Sequence, residues 1–172
     1  CAKHAGAALI LSASVFVTVG VAQSLLLNRS FGTGMDPGEA MVSGAGFLVA
    51  QVLDIVRNDV DVAIVDAGTE PHMLDVLIYR MEVRIEPPAQ GRYAYQVAGR
   101  TCLAGDIFGT YTFPEKLEVG SLIAFADAAA YTIVKKNWFN GLAMPSIVVR
   151  RLDGRVDVVR TFGYEDYVSA LS

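Results

Sequence analysis

GRTCLAGDIFGTYTF, residues Gly99 to Phe113, is the stretch on which the reading of the whole chain turns. Its glycines, Gly99, Gly105 and Gly109, mark loop and turn positions, and extended apolar runs follow. Cys102, one of two cysteines in the chain, stands in it with Asp106 four residues on. A glycine-marked loop between strands is where a rigid sheet domain presents chemistry. The stretch therefore predicts a thiol and a carboxylate carried between two strands.

Working downstream, a short strand is expected around Tyr111, a turn at Pro114 to Gly120 and a buried strand at Leu122 to Ala126. Ala128 to Phe139 reads as a helical or irregular connection. Ile147 to Arg151 and Val156 to Thr161 flank Leu152-Asp153-Gly154 as a hairpin, and Tyr164 to Leu171 closes the chain as a short helix with acidic residues in its first turn. Upstream, Arg92 to Val97 reads as a strand, and the alternation in Arg80 to Glu86 (RMEVRIE) predicts a half-exposed one. Glu70-Pro71 opens a short helix, His72 to Ile78. Phe47 to Val56 and Val60 to Val65 make a hairpin about Arg57-Asn58-Asp59, with Gln51 outward and the valines inward; a helix over Ala45 to Val56 also satisfies the spacing. Ala8 to Phe16 is apolar enough for a buried strand running into a helix that ends near Asn28. The pattern predicts a mainly β fold, a Greek-key-like β-barrel or sandwich with a few short helices. It divides into an N-terminal strand–helix segment, 1–34, and a β-domain, 35–172.

The chain's 172 residues are enough for one domain with a substantial core, and 53% apolar against 19% charged residues describe a globular protein. A net charge of −4 with no basic patch argues against a nucleic-acid partner. Two cysteines make no disulfide framework, and His4 and His72 share no metal-like spacing, so a reducing cytoplasm is the default expectation and no metal is expected. Ala5 to Leu27 lacks charge, yet Ser12, Ser14, Thr18, Gln23, Ser24 and Gly20 interrupt it. A buried strand and helix suit it better than a membrane span.

In combination, DPGEAMVSGAGFLVAQVLDIV, HMLDVL, GRTCLAGDIFGTY, AAAYTIVKKNWFNG with PSI, and FGYEDY resemble the C-terminal part of the fold-type III pyridoxal-phosphate decarboxylases. Within them the carboxynorspermidine decarboxylase branch is the most similar. The resemblance implies a homodimer in which a β-domain completes a site on the neighbouring subunit's (β/α)₈ barrel. It implies that Cys102 helps to protonate the intermediate after carbon dioxide leaves and that Asp106 reads the substrate's distal amine. Tyr131 would reach the cofactor phosphate and Gly38 would belong to the phosphate-contacting turn. Asp36 stands where the family usually has a longer glutamate against the pyridine nitrogen. Phe139 and Asn140 match a pocket-wall motif, and His72 joins the substrate pocket. Arg100 stands where proline is common.

The residue types suit that chemistry: decarboxylation needs an electron sink, a nearby weak acid and, for a polyamine-like substrate, a fixed carboxylate. The chain is nevertheless too short for a barrel of about 250 residues as well. AGAALILSASVFVTVG is similar to the family's first barrel strand, with Ser14 at the lysine that holds the cofactor, and serine cannot replace it. Lys3, Lys116, Lys135 and Lys136 match no cofactor position. Three readings stand: the β-domain of a decarboxylase, either as a fragment of the enzyme or as one piece of a split enzyme with the barrel on another polypeptide; a shortened relative with a repurposed pocket for a small cationic or carboxylated ligand; and a structural or interaction module. Each residue also has a plainer reading. Cys102 is a small buried hydrophobe, Asp106 a turn cap, Tyr131 a core aromatic, His72 a helix-start or surface histidine and Trp138 a dimer-interface anchor.

Overall fold

The computed structural model describes residues 15–19, 42, 44–80, 82–88, 90–129 and 131–172. Strands dominate: β1 Val15–Val19, β2 Gly46–Asn58, β3 Val60–Val65, β4 Tyr93–Ala98, β5 Ile107–Phe113, β6 Leu122–Ala126, β7 Ser146–Arg150 and β8 Val156–Arg160. The short helices are α1 Thr69–His72, α2 Asp75–Tyr79, α3 Tyr131–Lys135 and α4 Tyr164–Ser169, with a tight turn at Phe139–Gly141.

One sheet runs β5-β4-β3-β2-β1-β7-β8, and β6 also pairs with β2. The β2 strand organises it. Its first half alternates buried and half-buried residues and lies between β1 and β6, while its second half pairs with β3 as a hairpin. The change of partner falls at an irregularity between Val52 and Asp54. There Val52 exchanges backbone hydrogen bonds with Gly120 and Ser121, and Gln51 exchanges them with Asp66 and its side chain. A bulged strand that serves two ladders curls the sheet into a half-barrel. Both β1–β7 and β3–β4 are parallel pairs, and the other ladders are antiparallel.

The inward residues of these strands form one core: Leu48, Ala50 and Val52 of β2, Ala63 and Val65 of β3, Val97 of β4, Phe108 of β5, and Ile123 and Phe125 of β6. The Phe108 and Phe125 rings stack at 4.2 Å with 14° between their planes. Burying two aromatic rings and seven aliphatic side chains is the main stabilising term, at roughly 1.5–3 kcal/mol for each large one.

The mainly β architecture with a few short helices is the one expected, and the strand reading of 47–56 prevails over the helical one. The inward valines hold at Val52 and Val65, but Val56 and Val60 are exposed where the hairpin extends beyond the core. The expected strand at Arg80 to Glu86 is corrected. Val83 and Ile85 are buried and Glu82, Arg84 and Glu86 exposed, so the alternation is real. The backbone contributes only the Ile85–Phe125 bridge and two hydrogen bonds to β6, Glu86 N–H to Ala124 and Ala126 N–H to Arg84. Arg80 in the left-handed region (φ 51°) ends α2 on one side, and Pro87 and Pro88, lacking N–H groups, stop a ladder on the other. Of the strand expected at Ala8 to Phe16 only Val15 and Phe16 are among the described residues; they open β1, Val15–Val19, which joins the same sheet as the rest. The expected helix ending near Asn28, Ser14, Asp36 and Gly38 lie outside the described residues. Among the described residues no helix is long and apolar enough to cross a membrane.

Candidate functional site: a thiol loop bolted from beneath and from the side

The loop 99–105 joins β4 to β5, two strands whose alternating residues fix it at the rim of the curled sheet. Gly99 N–H donates to the Asp106 carbonyl at 2.8 Å and closes the loop, and Arg100 N–H docks it on the Ala67 carbonyl. Beneath it, Asp106 is 5% exposed. Its Oδ1 accepts from Thr69 N–H (2.7 Å) and Thr69 Oγ1 (2.8 Å), and its Oδ2 from Thr101 N–H (3.0 Å) and Thr101 Oγ1 (2.6 Å). One carboxylate thus pins the start of α1 to the residue before Cys102. Two close approaches require glycine here. A Cβ on Gly99 would press into the Asp106 carboxylate, and one on Gly68 would stand 2.7 Å from Thr101 Cγ2.

Cys102 is exposed. Its backbone N–H donates to Asn140 Oδ1 at 2.9 Å, and Asn140 Nδ2 donates to Cys102 Sγ at 3.4 Å. Asn140 sits in the left-handed region (φ 58°, ψ 12°), which asparagine tolerates better than most residues. The turn that carries it is tied to α1 by Asn137, whose N–H donates to the Pro71 carbonyl (2.9 Å) and whose Oδ1 accepts from Phe139 N–H (2.8 Å). Next to it, Trp138 packs edge-on to Phe162 at 6.2 Å and against Tyr167 of α4 at 5.6 Å.

His72 is fully buried at the end of α1. Its Nδ1 accepts from Gly68 N–H at 3.3 Å, which assigns the proton to Nε2. Nε2 faces the Ala143 carbonyl without completing a well-formed hydrogen bond. Burial lowers the imidazole pKa from 6.5 to about 4, although the Asp106 charge pulls it up. The folded protein therefore excludes a proton that the unfolded chain accepts below about 6.5. Stability should be complete above that pH and fall as pH drops towards 4, losing about 3 kcal/mol from this group. Urea unfolding of the unaltered chain and of His72→Gln between pH 7 and 4 checks it: the variant should lose markedly less, and equal slopes would refute the assignment.

Asp66, at the end of β3, accepts from Gln51 N–H at 2.8 Å through Oδ1, while Oδ2 is buried without a partner. Burial raises its pKa, against the Gln51 hydrogen bond and the Arg100 charge.

Tyr131 belongs to a second cluster. The Lys135 ammonium lies 5.0 Å from its ring centre and 5.6 Å from that of Tyr79, and pairs with Asp75 at 2.5 Å. The Tyr131 side chain is 42% exposed.

The structure thus brings Cys102, Asp106 and Asn140 together, with Phe139 beside them in the turn. Two expectations change. His72, expected in the substrate pocket, has no exposed atom and supports α1 from inside. Asp106, expected to read an amine, already holds four donors and has little surface left. Thr69, Thr101 and Asn137 were missed. Threonine and asparagine are common, and only the through-space contacts give these three a role.

A half-barrel sheet thus carries an exposed thiol, held by Asn140, on its rim loop. Residues 19–129 match the family model described as "Pyridoxal-dependent decarboxylase, C-terminal sheet domain", and the chain belongs to this decarboxylase family. It is 51% identical over 138 residues to the carboxynorspermidine/carboxyspermidine decarboxylase of Herminiimonas arsenicoxydans, covering 80% of this chain and 38% of that protein. It is 38% identical over 147 residues to the Campylobacter jejuni protein of the same description, covering 77% and 38%. The crystal structure of carboxynorspermidine decarboxylase complexed with norspermidine from Campylobacter jejuni superposes with a TM-score of 0.72 at 35% identity, over 78% of this chain and 41% of that one. The chain spans about two fifths of the length of these relatives.

The family links the chain to pyridoxal phosphate. Cys102 and Tyr131 are both exposed, but in separate clusters, the first against Asn140 and the second against Lys135. The described lysines are each engaged: Lys135 pairs with Asp75, Lys136 donates to the Ile133 carbonyl at 2.9 Å, and Lys116 lies over the Tyr93 ring.

Proposed function

We propose that this chain supplies the sheet-domain part of a pyridoxal-dependent decarboxylase site for a carboxylated polyamine of the carboxynorspermidine type, in a cytoplasmic homodimer. When bound, pyridoxal phosphate would act as the sink for the electrons released as carbon dioxide leaves. The chain's own residues do the rest. Cys102 gives the S–H proton to the carbon that lost carbon dioxide, leaving a thiolate that takes its proton back from water. Asp106 keeps the loop at a fixed height by holding Thr69 and Thr101, and Phe139 forms the adjoining wall. Tyr131, Asp36 and Gly38 are assigned to the cofactor's side, and the anchoring lysine to a (β/α)₈ barrel outside these 172 residues.

The observation that carries this reading is the presentation of Cys102. A free cysteine is usually buried, and this one is exposed on a loop locked by a buried carboxylate. The test combines the chain with the barrel segment of the Herminiimonas arsenicoxydans relative and pyridoxal phosphate, and measures carbon dioxide release from carboxynorspermidine. Release should require both pieces. A stable complex that releases none would overturn the proposal.

A further inference from the structure

The amide of Asn140 faces Cys102 in only one way. The Cys102 backbone N–H is a donor and needs an acceptor, so Oδ1 must turn to it, and this forces Nδ2 towards the sulfur. Both contacts are made by one planar group 38 residues away in sequence. The first fixes the backbone of the thiol residue. The second occupies a lone pair of Sγ, so the S–H hydrogen has to point away from Asn140.

We propose that Asn140 is the positioning residue of the Cys102 thiol, holding its backbone through Oδ1 and aiming its S–H hydrogen through Nδ2. The inference rests on Cys102 as the proton donor of the proposed function, but its contacts are testable without that reaction. A donor on sulfur stabilises negative charge there, so the same amide that aims the proton also steadies the thiolate left behind. The rigidity comes from behind the turn. Asn137 fastens it to α1, and Trp138 wedges it against Phe162 and Tyr167, which gives the closing FGYEDY segment a part in holding the loop. A pocket wall made of Asn140 alone would leave its amide free for ligand; here both ends are engaged with Cys102.

Two substitutions separate the contacts, and the intact chain suffices for both. Asn140→Gly keeps the left-handed backbone and removes both hydrogen bonds. Asn140→Asp keeps the acceptor for Cys102 N–H and replaces the donor on sulfur with a like charge. Amide exchange followed by NMR should show Cys102 protection lost in the glycine variant and retained in the aspartate variant. Iodoacetamide alkylation at Cys102, read by peptide mass spectrometry, should slow about tenfold in the aspartate variant, because alkylation follows the thiolate fraction. A general structural role would move exchange across the whole turn and leave the alkylation rate tied to unfolding. Retained Cys102 protection in Asn140→Gly, or an alkylation rate within about twofold of the unaltered chain in Asn140→Asp, would overturn the assignment. Either result would leave the decarboxylase reading standing, since carbon dioxide release tests that separately.

Discussion

Asp106→Ala should lower the unfolding free energy by about 4–5 kcal/mol, a loss at the upper end for single substitutions. The carboxylate is 5% exposed and accepts four hydrogen bonds from two threonines, two of them from backbone N–H groups. Hydrogen bonds to a charged group contribute roughly 1.5–3 kcal/mol each, and they do not add. The hydroxyls of Thr69 and Thr101 can rotate towards other acceptors once the carboxylate is gone. The two backbone N–H groups cannot, and burial keeps water from replacing the oxygen lost at Thr69, while the half-buried Thr101 N–H is only partly shielded. Relief of carboxylate desolvation offsets part of the loss, which is why the estimate is well below the sum of four bonds. Asp106→Asn keeps one oxygen for one threonine and turns an NH₂ against the N–H of the other, so roughly half the loss should remain. Urea denaturation gives the measurement: the midpoint should fall with an unchanged m-value. A loss under about 1 kcal/mol for the alanine variant would show that the loop is held by something else.

The same contact shows where sequence reading stops. The β2–β3 hairpin was legible because VDVAIV alternates about the Arg57-Asn58-Asp59 turn, β6 because LIAFA is a continuous apolar run, and the β7–β8 hairpin because Leu152-Asp153-Gly154 marks its turn. At Arg80 to Glu86 that periodicity was present and correctly gave the buried face at Val83 and Ile85. It overstated the ladder, because backbone pairing depends on the neighbours at Arg80 and Pro87 as well as on side chains. The loop was legible as a glycine-marked connection between two strands that carries Cys102 and Asp106. Its mechanics were not. Thr69 lies 37 residues from Asp106 and Asn140 lies 38 from Cys102, and no periodicity links residues across such distances. His72 was misplaced for a related reason. A histidine after a proline at a helix start looks exposed in sequence, whereas packing of α1 beneath the loop puts it in the core.

Cys102→Ala should lower turnover of the assembled decarboxylase about 10²–10⁴-fold, the usual contribution of a positioned acid, with little change in KM. The fold should tolerate the change. The side chain is exposed, the bond to Asn140 Oδ1 comes from the backbone, and Asp106 grips the loop at Thr101 rather than at Cys102. A stability change within about 0.5 kcal/mol is expected, so lost activity could not be blamed on unfolding. Cys102→Ser sharpens the argument. Serine keeps an acceptor for Asn140 Nδ2 and matches the thiol in shape, but its hydroxyl is a far weaker acid. If proton delivery is the function of Cys102, serine should be nearly as impaired as alanine despite an intact clamp. If the residue only fills space beside Asn140, serine should restore most of the turnover. The two outcomes differ by an order of magnitude or more, and kcat measured on the combined chain and barrel at saturating substrate reads that difference directly. Serine-level recovery would remove Cys102 from the chemistry and leave the locked loop as architecture alone.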